Sequence, residues 1–252
     1  MTPASVGFQC PDDVRAGNAS VRRVRQTPLL KRAGRRYGVV TVGLIVLNVA
    51  VFVATAVSAG LAGANPLDNT FSPLFAQLAQ IPVLVQLGED WRLVTAAFLH
   101  IGPLHLALNM MALLIFGSEL ERQLGRVRFL ALYLMSALGG AAAIQLFGEP
   151  GRPVAGASAA IYGLLGGLAV VMLSRREDLR GLLTLLAINV FVSFLPGVSL
   201  LGHLGGLVAG FVATGVVVLA RRRTELQVLG LMVLTTALVV VALTVSTLVV
   251  LG

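Results

Sequence analysis

The sequence predicts an all-α membrane protein, a polytopic helical bundle with seven transmembrane helices. Hydrophobic residues make up 57% of its 252 residues and charged residues only 12%, whereas a soluble domain carries about 25% charged residues. The apolar residues gather into seven runs, most of them near the roughly 20 residues that a helix needs to cross the bilayer core. The single cysteine, Cys10, excludes an intramolecular disulfide and a cysteine-based metal site.

The chain is expected to have three parts. Residues 1–36 form a basic arm with several prolines and little apolar periodicity, which we expect to be largely disordered and cytoplasmic. Residues 37–219 form a six-helix core, and residues 220–252 form a cytoplasmic loop and an extra helix. The predicted spans are 38–59, 93–117, 128–147, 157–173, 181–195, 200–219 and 228–250. The fourth and fifth are short, which indicates that they are buried among the other helices or start below the membrane surface.

The basic residues predict the orientation. Of the 19 lysine and arginine residues, all except Arg92 and Arg152 lie in the arm or in the loops after the second, fourth and sixth runs. Because basic residues collect on the cytoplasmic side, we expect the amino terminus inside and the carboxyl terminus outside. This placement explains the net charge of +8 without a nucleic-acid partner. The outer loop, about residues 60–92, is broken by prolines, so we expect short interfacial helices ending at Trp91-Arg92 at the headgroup boundary.

Polar side chains interrupt the outer starts of three runs: His100, His105 and Asn109 in the second, Ser158 in the fourth, and His203 in the sixth. Counted from the cytoplasmic arginines at ~1.5 Å per residue, Ser158 and His203 both lie about 26 Å above the inner boundary. That depth is a few ångströms inside the outer face of a core ~30 Å thick. Ionisable residues are costly there and usually face an interior or a water-filled cavity.

Each of these residues also has a purely structural interpretation. A serine in a membrane helix often hydrogen-bonds locally or lets helices pack closely. His203 alone is consistent with an interhelical hydrogen bond, His100 with bracing of the outer loop, and Asn109 with helix association. Their combination at one depth favours chemistry.

Small residues predict that the fourth and sixth helices approach closely. Glycines recur every four residues in both: Gly163 and Gly167 in one, and Gly202, Gly206 and Gly210 in the other. This spacing lets two helix backbones meet, which a short serine needs if it is to reach an imidazole. Tyr162 follows Ser158 by four residues and so lies on the same face one turn deeper, where its ring can pack against His203.

Taken together, these residues resemble the rhomboid intramembrane serine proteases over roughly residues 38–219. The motifs, in order, are His100-x4-His105-x3-Asn109, Gly156-x-Ser158 with Tyr162, and His203-x2-Gly206-x3-Gly210. The seventh span resembles the added helix of the six-plus-one forms. The resemblance implies a rhomboid-like fold and a bacterial plasma-membrane endopeptidase that cleaves single-pass transmembrane proteins near the outer face.

The resemblance also implies a Ser–His dyad without an acidic third member, in which Ser158 is the nucleophile and His203 the general base. His105 and Asn109 would help the backbone N–H of Ser158 bind the oxyanion. Tyr162 would support His203, and His100 would be structural or water-holding. The glycines that would support the site are Gly156, Gly206 and Gly210.

Two departures from the family pattern matter. Ala159 stands where the family has the second glycine of Gly-x-Ser-Gly, and its methyl group is expected to narrow the pocket beside the nucleophile. The stretch Val6–Pro11 resembles the end of a zinc-ribbon arm, but with one cysteine left we expect no zinc site. We expect no cofactor, and the expected partners are transmembrane substrates and the lipid bilayer. The oligomeric state stays open.

Two rival hypotheses remain. The first is a pseudoprotease that has the same fold and binds transmembrane segments without cutting them. The second is a transporter with the buried histidines as a proton relay, although that class often has internal repeats and helices broken near the midplane, and no clear repeat is found here.

Overall fold

The computed structural model describes residues 2–3, 8–12, 29–194 and 198–250, and side chains over 10–12, 29–194 and 198–244. The chain divides into two compact units, 1–32 and 33–252. In the first, strands β1 (Thr2–Pro3) and β2 (Phe8–Gln9) pair antiparallel. Most of the arm predicted to be disordered, at 4–7 and 13–28, lies outside the described residues. The three-part division of the chain and the lack of a zinc site stay predictions.

Most of the rest of the described chain is helical. The helices are α1 (Leu29–Tyr37), α2 (Val39–Leu61), α3 (Pro73–Leu78), α4 (Pro82–Gln86), α5 (Arg92–Thr95), α6 (Gly102–Leu124), α7 (Arg126–Phe147), α8 (Ser158–Arg175), α9 (Arg180–Val192), α10 (Leu200–Leu219) and α11 (Thr224–Val250). Within the described ranges, α2, α6, α7, α8, α10 and α11 are long and apolar enough to cross a membrane. The predicted polytopic helical bundle is confirmed. Where the fifth span was predicted, at 181–195, the described structure has the apolar 13-residue α9, which is too short to count among these six.

The predicted bounds of the second span were wrong at both ends. Its first residues form α5 and a 3₁₀ turn, Ala96–Phe98. Helix α6 begins only at Gly102, whose φ of +70° redirects the chain, and a proline follows in the first turn, where its missing N–H costs nothing. At the other end α6 passes through a π-helical turn, Leu113–Gly117, into polar sequence as far as Leu124.

A buried carboxylate explains why polar sequence continues α6. The start of α2 has no side-chain cap of its own. Instead, the Glu121 carboxylate accepts hydrogen bonds from the N–H of Val40 at 3.0 Å, and from the N–H and hydroxyl of Thr41 at 2.7 and 2.8 Å. A negative charge at a helix amino terminus is stabilising. Glu121 therefore joins the start of α2 to the last turns of α6.

The outer loop consists of α3, α4 and α5 with a 3₁₀ turn at Asn69–Phe71, as the prolines predicted. Trp91 is 52% exposed, but Arg92 is only 4% exposed. The Arg92 guanidinium donates to the carbonyls of Ala76 and Ala79, both at 2.7 Å, and pairs with Glu89. The position of this pair at the headgroup boundary stays a prediction, but Arg92 is buried and ties the loop together from inside.

Helices α7, α8 and α10 pack backbone against backbone. A Cβ added at Gly206 of α10 would lie 2.7 Å from the carbonyl carbon of Ala159 in α8, and one added at Gly210 would lie 2.6 Å from that of Gly163. A Cβ added at Gly140 of α7 would lie 2.7 Å from the Gly202 carbonyl oxygen. Real side chains almost never approach so closely, so glycine at these positions permits the packing that positions the site.

Candidate active site

Ser158 is the first residue of α8, so its backbone N–H lies in the first turn, where helical N–H groups have no partner within the helix. The chain reaches it through Gly156, whose φ of +141° suits glycine. The Gly156 N–H donates to the Ala96 carbonyl at 2.9 Å. A Cβ on Gly156 would lie 3.0 Å from Cε1 of His105 and 3.5 Å from the Ser158 hydroxyl oxygen. Gly156 therefore leaves the space between these two side chains open.

The side chains of Ser158 and His203 meet across α8 and α10. Nε2 of His203 lies 2.8 Å from Oγ of Ser158, within hydrogen-bond distance. His203 is buried, at 6% exposure, and Ser158 is half-buried. The approach depends on Gly206, one turn below His203, which packs on the Ala159 backbone.

Tyr162 lies where the helical spacing predicted. Its ring stacks on the imidazole of His203, with centroids 4.0 Å apart and an angle of 14° between the planes. Its hydroxyl lies 2.8 Å from Oγ of Ser193, a residue just after α9. The same Ser193 oxygen lies 2.7 Å from Nδ1 of His203. The imidazole is thus held on its face and at both ring nitrogens.

His105 and Asn109 line the same cavity as the dyad. Nδ1 of His105 accepts the N–H of Ile101 at 3.2 Å, so a neutral His105 carries its proton on Nε2, the nitrogen nearer Gly156. Asn109 donates one amide hydrogen to the His105 carbonyl at 2.9 Å and has a second to offer. Both residues therefore have a donor left for an oxyanion formed beside Ser158.

His100 lies between the 3₁₀ turn Ala96–Phe98 and α6 and is fully buried. Its ring centroid is 5.2 Å from that of His105, and its carbonyl accepts a hydrogen bond from Asn69 at 2.9 Å. Burial, reinforced by the neighbouring His105, lowers the pKa of His100 to about 4, so it is neutral at physiological pH. His100 is not one of the described residues that line the cavity. Its contacts suit a structural residue beside His105.

The cavity next to Ser158 has a volume of about 550 Å³, room for many waters at ~30 Å³ each. Residues of α6, α7, α8, α9 and α10 line it, mostly with apolar side chains. Ala159 contributes to its wall, yet a Cβ added at Gly140 of α7 would lie 2.5 Å from the Ala159 methyl carbon. The methyl group expected to narrow the pocket therefore packs toward α7.

The dyad residues, the two oxyanion candidates and Tyr162 come together at one site, as the sequence predicted, while their roles stay predictions. Two polar residues were missed. Ser193 interrupts an apolar run in the same way as Ser158, and that signal could have found it. Glu121 falls beyond the predicted end of the second span, so its burial had no signal in the hydropathy pattern.

Comparison with known proteins identifies the family to which most of the helical part of the chain is similar. Residues 87–221 match the family model described as "Rhomboid domain". The chain is 40% identical over 135 residues to RHOMBOID-like protein 6, mitochondrial, of Arabidopsis thaliana, a stretch covering 51% of this chain and 44% of that protein. It is 40% identical over 136 residues to Rhomboid protease GluP of Bacillus subtilis (strain 168), covering 52% of this chain and 26% of that protein. The chain therefore spans less than half the length of these relatives.

Proposed function

The chain belongs to the rhomboid family, and from this premise we propose that it is a serine endopeptidase that cleaves transmembrane-helix substrates within the membrane. The observation that carries the proposal is the 2.8 Å distance between Nε2 of His203 and Oγ of Ser158. A serine hydroxyl is a weak nucleophile until an adjacent base accepts its proton. One relative, GluP of Bacillus subtilis, is named as a rhomboid protease.

In the proposed reaction Oγ of Ser158 attacks the scissile carbonyl carbon while its proton passes to Nε2 of His203. The negative charge moves to the carbonyl oxygen, where the Ser158 N–H, His105 Nε2–H and Asn109 amide donate to it. His203 then gives its proton to the departing amine nitrogen, which leaves an acyl ester on Ser158. A water then attacks the ester while His203 takes one of its protons, and His203 returns that proton to Oγ of Ser158 as the carboxylic acid product departs. Every proton in this scheme moves between groups of the chain, substrate and water, with no cofactor.

The proposed site of cleavage is the outer part of the substrate helix. The predicted topology puts the start of α8, and therefore Ser158, a few ångströms inside the outer face. The peptide carbonyls of an intact helix are hydrogen-bonded within the helix, so the substrate segment has to unwind before it enters the cavity. We propose a location in the bacterial plasma membrane with the amino terminus in the cytoplasm.

The alternative is a pseudoprotease that binds transmembrane segments without cutting them. The residue that raised it is Ala159, in place of the family's glycine. The position of the Ala159 methyl against Gly140 favours the protease, since the cavity beside Ser158 stays open. Membership of the rhomboid family weakens the transporter hypothesis.

The test is cleavage of a model single-pass substrate by protein reconstituted in liposomes. We expect Ser158→Ala to abolish cleavage. The matched control is Ser174→Ala at the other end of α8, whose hydroxyl bonds only the Val171 carbonyl among the described contacts, and we expect it to cleave at the wild-type rate. Cleavage by Ser158→Ala as fast as by wild type would refute the proposal.

A further inference from the structure

Ser193 lies immediately after α9 and is buried, at 3% exposure. Its hydroxyl oxygen meets three groups: Nδ1 of His203 at 2.7 Å, the hydroxyl oxygen of Tyr162 at 2.8 Å and the backbone carbonyl of Asn189 at 2.9 Å. These partners come from α10, α8 and α9 respectively. Ser193 thus connects the dyad and its stacking partner to a third helix.

The proton positions follow from counting donors. A serine hydroxyl has one hydrogen and two lone pairs. The Asn189 carbonyl can only accept, so all three contacts are hydrogen bonds at once only when the hydrogen of Ser193 goes to it. In that arrangement the two lone pairs of Ser193 accept from Nδ1–H of His203 and from the hydroxyl of Tyr162.

This arrangement selects one tautomer of neutral His203. With the proton on Nδ1, Nε2 has a free lone pair and accepts the hydrogen of the Ser158 hydroxyl at 2.8 Å. In the other tautomer Ser193 would have to turn its hydrogen from the Asn189 carbonyl to Nδ1 and lose that hydrogen bond, and a hydrogen would stand on the nitrogen that has to act as base. In serine triads a carboxylate holds the histidine in its competent tautomer.

We propose that Ser193 is a positioning residue. Its neutral hydroxyl takes the place of the triad carboxylate by holding the proton of His203 on Nδ1. The proposal rests on the proposed function for its catalytic consequence. After His203 takes the proton of Ser158, both ring nitrogens are donors, and Ser193 continues to accept from Nδ1–H without rearrangement. A neutral acceptor also avoids placing a second charge in the membrane, where ionised side chains are costly.

The position of Ser193 makes the state of the base depend on α9. Within Arg180–Val192 the one buried residue is Leu182, so the described side chains of α9 are little covered by the other helices. Ser193 then supplies the buried polar connection from the outer end of α9 to α8 and α10. A displacement of that end of α9 would move the Ser193 hydroxyl away from Nδ1 of His203, and the proton of His203 would no longer be held on Nδ1.

The test uses Ser193→Ala, with Ser136→Ala as the matched control. Ser136 is a fully buried serine that also donates to the carbonyl four residues earlier, that of Leu132 at 2.7 Å. We expect Ser193→Ala to lower kcat roughly 10- to 100-fold, by analogy with the range found for hydrogen-bond partners of metal-ligating histidines, with KM unchanged. The control should keep the wild-type kcat. Ser193→Thr, which keeps an acceptor oxygen, should recover most of the activity.

The second readout is the tautomer itself. The chain has three histidines, so ¹⁵N-histidine labelling gives three imidazoles, and the signals missing from His203→Gln identify His203. We expect the proton on Nδ1 in wild type, Ser136→Ala and Ser193→Thr, and transfer to Nε2 in a large fraction of Ser193→Ala. A wild-type proton on Nε2, or a Ser193→Ala spectrum and kcat equal to those of wild type, would overturn the proposal. If wild type cleaves no substrate, the proposed function fails while the tautomer measurement still decides the role of Ser193.

Discussion

Replacement of Gly206 by alanine should separate the two catalytic helices. The added Cβ would lie 2.7 Å from the carbonyl carbon of Ala159, and closer still to its oxygen, whereas non-bonded carbons prefer about 3.5–4.0 Å. Because these are backbone atoms, no side-chain rotation relieves the contact. Helices α8 and α10 therefore have to move apart by about 1 Å.

That movement acts directly on the dyad. Gly206 lies one turn from His203, and Ala159 follows Ser158. The 2.8 Å distance between Nε2 of His203 and Oγ of Ser158 therefore lengthens to about 3.8 Å, beyond the ~3.2 Å reach of a proton-accepting base. We expect cleavage to fall at least 100-fold, as a misplacement of about 1 Å can produce. Overpacking should also cost about 1–3 kcal/mol of stability.

The assay is cleavage of the model substrate, with thermal unfolding of the same detergent-solubilised samples. The matched control is Gly215→Ala in the same helix, where an added Cβ meets no described heavy atom within 4 Å, and it should keep both activity and Tm. If Gly206→Ala cleaves as fast as Gly215→Ala, the packing of α8 on α10 does not set the geometry of the dyad, and the reasoning is refuted.

Two further predictions concern residues beside the dyad. His105→Ala should lower kcat roughly 100-fold through loss of one oxyanion donor while labelling of Ser158 by a fluorophosphonate persists, and an unchanged kcat would remove His105 from the oxyanion site. Glu121→Gln should lower the free energy of unfolding by about 1.5–3 kcal/mol, because three hydrogen bonds to a buried charge are weakened. Exposed Glu225→Gln should leave it unchanged, and equal stability of the two variants would show that Glu121 does not hold α2 and α6 together.

Much of the fold could be predicted because lipid imposes simple rules on sequence. A helix is the only way to satisfy backbone groups across the core without a barrel, so apolar runs located α2, α7, α8, α10 and α11 within a few residues. The second span was placed less well. Its apolar sequence continues upstream into α5, and the start of α6 is marked by the positive φ of Gly102 and the proline that follows it. A hydropathy profile reports how apolar a segment is, so it does not show where the chain turns within an apolar segment.

The site could be predicted as a set of residues more easily than as a set of contacts. Ser158, Tyr162 and His203 are polar or aromatic residues that the contact between α8 and α10 brings together. The regularly spaced glycines in both helices predict that contact. Ser193 follows a third helix, ten residues before His203 in sequence, and no spacing relates it to the others. Its place in the site is shown only by the structure, in which its hydroxyl oxygen lies 2.7 Å from Nδ1 of His203.

The measurement that tests the central claim most directly is labelling of purified protein in detergent by a fluorophosphonate probe, which reacts with a base-activated serine. The samples are wild type, Ser158→Ala and His203→Ala, with folding checked for each. We predict labelling of wild type alone. Absence of labelling in well-folded wild type, or equal labelling of His203→Ala, would contradict a Ser158–His203 dyad and favour a rhomboid-fold protein that binds transmembrane segments without cutting them.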